Sequence, residues 1–362
     1  NNIKSLNFFE KVQGEILDGN QFNTKIININ ITEKATGEIF AGVGTGTDGS
    51  NFNFGIKENN YLGRGVKVDS NIKLSDERIK GKFIVSNPNY KNSDKNLDLS
   101  LEVTSIDRLA TSGYKTNVTG FGIGTNFEYL DDLRFGLSTR NTIEKIDVDS
   151  SASARQKKQD GNYFDSFIGL NFFYDKRNQK YQTTSGFFSN YDVSLPILSD
   201  TNTLTNNYNY KIFKELYENN VSTFAFSLRG ASSLSGDDIK LSERLYIPGR
   251  KLRGFESGKI GPKDGSDFIG GNYVSTINAT TTIPKILENV QTVDIVLFAD
   301  AANIWGVDYD SSLDKSGIRS SVGVGLDWLT PVGPLTFSFA QPITKESTDI
   351  EETFRFNIGT SF

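Results

Sequence analysis

The side chain that its neighbours mark out most clearly for chemistry is Arg253. It is set between Leu252 and the pair Gly254-Phe255 in the middle of the segment 236–271. A guanidinium stays charged at any physiological pH and offers a rigid fork of N–H donors. The segment around it interrupts two strand-like runs. A loop longer than about 12–15 residues with no structure of its own is usually functional or disordered. Disorder does not fit, because Leu245, Tyr246, Ile247, Leu252, Phe255 and Ile260 give this loop apolar surface to pack against something. Such a loop is expected to fold back into a cavity made by the rest of the chain. The plainer reading is an arginine solvated on a surface loop.

Composition closes many other routes. The 362 residues contain no His, no Cys and no Met. Without His there are no Ser-His or Cys-His nucleophile pairs, no imidazole acid/base catalysis and few zinc sites. Without Cys there are no disulfides and no thiolate metal ligands. A Lys or a carboxylate pair could still catalyse, but no local signature marks one, so neither a catalytic residue nor a cofactor or metal site is assigned. A net charge of −5 argues against a nucleic-acid partner, which calls for a basic face. With no Met, the chain shows no start residue and is expected to be a mature or trimmed segment.

The elements that must position Arg253 read as strands. No run reaches the roughly 18–20 apolar residues of a transmembrane helix. Aromatics at 12%, 34 Gly and only 8 Pro give a β-rich profile. From Gly37 onward no convincing helix appears, and apolar residues alternate with polar ones. Leu97, Leu99, Leu101 and Val103 alternate with Asp98, Ser100, Glu102 and Thr104, and Val322, Val324, Leu326 and Trp328 hold one parity. About sixteen such runs follow one another, near 37–47, 50–59, 64–76, 78–87, 95–108, 112–128, 132–147, 161–175, 186–195, 204–217, 221–235, 272–283, 290–303, 317–330, 333–345 and 351–362. Many are longer than the five or six residues typical of sandwich strands, and they approach the roughly 9–11 of tilted membrane strands. Tight turns at 59–63, 130–132 and 330–334 alternate with long polar stretches at 148–160, 196–203, 236–271 and 304–316. The pattern predicts an all-β protein, a 16-stranded antiparallel transmembrane β-barrel over 36–362. Its rival is a large soluble β-sandwich or propeller, for which no blade-length repeat is visible. Residues 1–35 differ. They read as a helix end entering a strand at 5–12, then a hairpin turning at Asp18-Gly19-Asn20, a fragment of a small α/β module.

Several segments together point to a family. Leu252-Arg253-Gly254-Phe255, then Ile260-Gly261-Pro262-Lys263-Asp264 and Gly270-Gly271-Asn272, resembles the sixth extracellular loop of the Omp85 superfamily, most of all its BamA-type insertases. Leu252 stands where the family motif usually has Val. Asn7-Phe8-Phe9-Glu10-Lys11-Val12 is similar to the junction of the last POTRA module with the barrel. Gly333 to Pro342 and Phe354 to Phe362 are similar to the last two barrel strands. The resemblance spans the whole chain and implies that the loop enters the lumen, where its arginine meets acidic side chains of the inner wall. Strand parity then supplies a partner. Val293, Ile295 and Leu297 would face lipid, while Asp294 and Asp300 would face the lumen, and Asp300 occupies a family acidic position. BamA-type proteins often carry a second carboxylate one strand earlier; here Thr280 stands there, so the anchor is expected to rest on Asp300 alone or on an acid the sequence does not place.

The second constellation is the barrel seam. Gly42, Gly44 and Gly46 fall on the lumen face of the first strand, where glycine weakens pairing. The last strand carries Phe354, Phe356, Gly359, where the family has a kink, and Phe362, a terminal aromatic. The glycines could simply relieve crowding, and Phe362 could simply anchor at the interface. The resemblance implies more. It implies an insertase, not an enzyme, that folds β-barrel clients into the outer membrane of a Gram-negative bacterium by opening this seam to β-augmentation. Implied partners are unfolded outer-membrane β-barrel clients, BAM-type lipoproteins on the periplasmic side, periplasmic chaperones, and outer-membrane lipid and lipopolysaccharide. The alternatives are a sister Omp85 translocase, TamA-like or of the two-partner secretion type, or a passive porin.

Overall fold

The computed structural model describes residues 8–21, 23–180, 182–217, 220–283, 292–330 and 333–359. Two strands come first, β1 (Phe9–Asp18) and β2 (Lys25–Glu33), paired antiparallel. Then follow β3 (Gly37–Gly46), β4 (Gly49–Tyr61), β5 (Val66–Ser75), β6 (Arg78–Asn87), β7 (Leu97–Arg108), β8 (Tyr114–Leu130) and β9 (Leu133–Val148). Next come β10 (Gly161–Asp175), β11 (Gly186–Ser199), β12 (Thr203–Tyr217) and β13 (Asn220–Ser233). The long loop holds three two-residue strands, β14 (Gly254–Phe255), β15 (Lys263–Asp264) and β16 (Asp267–Phe268). The chain resumes with β17 (Tyr273–Thr282), β18 (Val293–Trp305), β19 (Arg319–Thr330) and β20 (Gly333–Thr344), then the short β21 (Glu351–Glu352) and β22 (Phe354–Gly359).

Sixteen of these strands close into one antiparallel barrel, in which each pairs with its sequence neighbour and β22 returns to β3. Closure removes the free edges that an open sheet would present. Period-2 patterning sorts the two faces. Leu99, Leu101 and Val103 are exposed outward, as are Phe121, Ile143, Leu297 and Val324, giving the barrel an apolar exterior suited to lipid. Inside, Ile247, Leu252, Phe255 and Ile260 of the loop pack with Val274, Ala302 and Ile304 of β17 and β18. A second inner cluster joins loop residue Leu241 to Tyr114 and Ile146 of β8 and β9.

The strands differ from the expected runs in a few places, each with a cause. The stretch 196–203 is not a long loop: β11 continues to Ser199 and β12 starts at Thr203. A register shift between Ser166 and Phe167 accommodates Pro196, which lies opposite Phe167, as proline in a sheet requires. Short and long connections do not alternate cleanly either. Neighbours are antiparallel, so connections alternate between the two ends, and 88–96 and 176–185 fall at the short-turn end. Two single-turn helices, Leu109–Ser112 and Ala154–Lys157, sit in loops at the other end. The expected last strand, 351–362, is split: β21 pairs with β14 of the loop, and only β22 joins the barrel. Residues 1–7 and Phe362 lie outside the described residues.

Candidate functional site

The long loop turns into the lumen and Arg253 meets Asp300. Nε donates to Oδ2 and Nη2 to Oδ1, both at 2.7 Å, a bidentate pair. The Arg253 backbone N–H adds a third bond to Oδ2 at 3.1 Å. The Asp300 side chain is fully buried and that of Arg253 is 18% exposed, so the carboxylate relies on these donors. Gly254 has φ +95°, and a Cβ there would press on Ala340 and Ser321 at 3.2 and 3.3 Å. The motif's glycine is thus needed both for its backbone angle and for space.

Thr280 does not reach the anchor. It lies opposite Phe298 and shares a hydroxyl hydrogen bond with Thr223 at 2.6 Å. Asn278, opposite Asp300 in the register, donates to Asp300 Oδ1 and to the Lys251 carbonyl, both at 2.8 Å. The Phe298 ring lies under the guanidinium with Cζ 3.5 Å from its centroid, a stacked cation–π contact. One carboxylate and one aromatic face hold the Arg253 guanidinium, and the Asn278 amide holds the carboxylate in turn. Ser321 completes the fixation by donating to the Arg253 carbonyl.

Sequence reasoning missed three further tethers. Lys240, 3% exposed, forms ion pairs with Glu144 of β9 at 3.0 Å and with Asp165 of β10 on a different stretch of wall. Burial alone would lower its pKa, but Glu243, Glu144 and Asp165 outweigh burial and hold the ammonium above the ordinary lysine range. Burial also pushes the Glu243 carboxyl up, against the pull of Lys240. Arg244 pairs with Asp308. Arg319 and Asp349 form a fully buried pair, with Nε to Oδ2 at 2.9 Å, and Asp349 also accepts from the Gly261 N–H at 3.0 Å. A signal for Lys240 was present: it stands between Ile239 and Leu241, a cation flanked by apolar neighbours, much as Arg253 is.

The seam brings most of the other predicted residues together. Among the described residues, Gly44 lies opposite Gly359, Thr45 opposite Ile358 and Gly46 opposite Asn357. The ladder continues to Thr47, whose N–H donates to the Phe356 carbonyl at 3.0 Å and whose Oγ1 accepts from the Phe356 N–H at 2.9 Å. Gly42 lies lower on β3, opposite Asn53 of β4, away from the seam pairs. Gly359 has φ +86°, and a Cβ there would overlap the Val43 carbonyl and meet Gly44 Cα at 3.2 Å. The Phe354 ring packs between that of Phe339, tilted with centroids 4.7 Å apart, and that of Phe356, stacked at 6.1 Å.

Comparison with known proteins matches this geometry. The Omp85 superfamily domain matches residues 60–362. The outer membrane protein assembly factor BamA of Neisseria meningitidis serogroup B is 26% identical over 361 residues, 85% of this chain and 44% of that protein. BamA of Neorickettsia risticii is 24% identical over 384 residues, 99% of this chain and 50% of that protein. The chain therefore spans about half the length of these relatives. Crystalline BamA from Haemophilus ducreyi lacking POTRA domains 1–3 superposes with a TM-score of 0.89 at 25% identity, over 100% of this chain and 77% of that one. CdiB from Acinetobacter baumannii shares the fold, with a TM-score of 0.60 at 12% identity. A closed sixteen-stranded barrel with an apolar exterior and this family match make the chain a member of the Omp85 superfamily, seated in the outer membrane of a Gram-negative bacterium.

Proposed function

We propose that this chain is the membrane barrel of an outer-membrane protein insertase, which folds β-barrel clients through the seam between β3 and β22. The observation that carries this reading is the contrast in pairing. The β8–β9 pair runs from Tyr114 opposite Val148 to Leu130 opposite Leu133. Among the described residues the β3–β22 register runs from Gly44 to Gly46. Parting at this register would give β3 a strand edge on which a client strand can form backbone hydrogen bonds. Backbone pairing ignores side chains and so suits many clients. The client's own folding supplies the free energy, and the barrel lowers the barrier without catalytic residue or cofactor.

Residues 1–35 belong, in this reading, to the last POTRA module, and its β1–β2 hairpin would sit beside the barrel's short-turn end. The partners are unfolded outer-membrane barrel clients, lipoproteins and chaperones on the periplasmic side, and outer-membrane lipid and lipopolysaccharide. Arg253 and Asp300 fix the loop while the seam works. The chain has no Cys, so Thr45→Cys with Ile358→Cys places a unique pair across the seam at register partners. Oxidation should stop client insertion into liposomes and reduction should restore it. Insertion that continues with the seam locked would sink this route.

A further inference from the structure

We propose that Arg355 is a releasable latch that ties the lumen loop to the barrel seam, so that the loop's seating sets how firmly β3 and β22 hold together. The inference rests on the reading that the seam opens in function, but its geometry stands apart from that reading. Arg355 is in β22, two residues before Asn357, which opens the seam register. Its guanidinium reaches three separate pieces of chain. Nη1 donates to Asp48, in the turn between β3 and β4, across the seam. Nη2 donates to Glu352 of β21 and, at 3.3 Å, to the Phe255 carbonyl of the loop. Gly249 of the loop lies so close to the same guanidinium that a Cβ there would overlap it. First hairpin, last strand and loop therefore converge on one cation.

The neighbouring contacts strengthen the link. In the register, Gly254 lies opposite Glu352 and Phe255 opposite Glu351, so the loop pairs with the segment that leads directly into β22. The Glu256 N–H donates to the Ile350 carbonyl at 2.9 Å, and the Ile350 N–H to the Lys259 carbonyl at 3.1 Å. Arg355 Nε is buried and, among the described residues, has no hydrogen-bond partner, so the side chain holds its place for the partners of its two terminal nitrogens. The two arginines of the site differ in kind. The partner of Arg253 is wholly buried, whereas the Asp48 side chain is 57% exposed. A water-exposed ion pair is weak and screened by salt. Arg253 thus makes a lasting anchor, and Arg355 makes a contact that a seam can break and remake.

Amide hydrogen exchange of the whole barrel in lipid nanodiscs tests this. Arg355→Gln, Asp48→Asn and Gly249→Leu should each speed exchange several-fold at 44–47 and 354–359, with no change across β8 and β9. Raising salt should speed seam exchange in the parent but add little in Asp48→Asn, a response that a merely structural residue would not produce. Gly249→Ala, the mildest change, decides the matter if Arg355→Gln does not fold. Unchanged seam exchange in the folded variants would overturn the latch, whatever the seam disulfide shows about insertion. Faster seam exchange with unaltered client insertion would support the latch and count against the insertase reading.

Discussion

At the scale of single residues, the anchor is decided by burial. Asp300 has no exposed side-chain surface and Arg253 keeps a small opening to water. Removing one partner of a buried pair leaves the other charged and unpaired, typically at about 3–5 kcal/mol. The two deletions should therefore differ. Arg253→Ala strands Asp300 with Asn278 and one backbone N–H, whereas Asp300→Asn leaves an arginine that can still reach water and stack on Phe298. Arg253→Ala should lower the urea midpoint of the purified barrel more than Asp300→Asn does. Arg253→Ala combined with Asp300→Ala should recover part of the loss. Equal losses in the two single variants would show that burial does not govern the pair. The pair itself was legible from the sequence, because parity along 293–302 puts Asp300 on the inner face. Asn278 and Phe298 were not, because a register between strands is a tertiary fact, and it sets Asn278 rather than Thr280 opposite Asp300.

At the scale of elements, the weak point is the end of β22. Gly359 combines a positive φ with close approach to Val43 and Gly44. Any other residue there meets a backbone angle that L side chains disfavour by roughly 1–2 kcal/mol, and also a clash with backbone that cannot turn aside. Gly359→Ala should therefore part the two strands. The Thr45→Cys/Ile358→Cys crosslink should form more slowly in its presence, while an alanine at Gly14, which has open space around it, should leave it unchanged. An unaltered crosslinking rate would mean that the kink does not set the seam. Strand existence was readable because alternation over ten or more residues has few rival explanations. Strand ends were not. The polar stretch 196–203 suggested a long loop where β11 runs on through Pro196 with a register shift, and the alternating run 351–362 hid a change of partner at Thr353, where the chain leaves the loop and joins the barrel. Alternation reports which face a side chain takes, not which strand lies beside it.

At the scale of the whole molecule, the loop works as a cross-brace. It holds β9 and β10 through Lys240 with Glu144 and Asp165, and β18 through Arg253 with Asp300. Arg319 with Asp349 ties β19 to the segment before β22. Beside the loop lie cavities of about 470 and 680 Å³, lined by Arg229 and Glu243 in one and by Lys211, Arg250 and Lys251 in the other. A barrel of this strand number left empty would be a water-filled channel. The brace makes a testable difference between an insertase and a passive porin, because the two assign opposite roles to the same lumen. In planar bilayers the parent barrel should conduct weakly and without a steady large level. Lys240→Ala and Arg253→Ala remove tethers that share no residue, so each alone leaves the loop held at the other wall and should raise conductance little. Together they remove the ion pairs to both walls, leaving the loop held by Arg244 with Asp308 and by its pairing with β21, and should raise conductance well above the sum of the single effects. A parent barrel that already passes a large ion-selective current would show that the loop does not close the lumen, and the porin reading would then stand in place of the insertase.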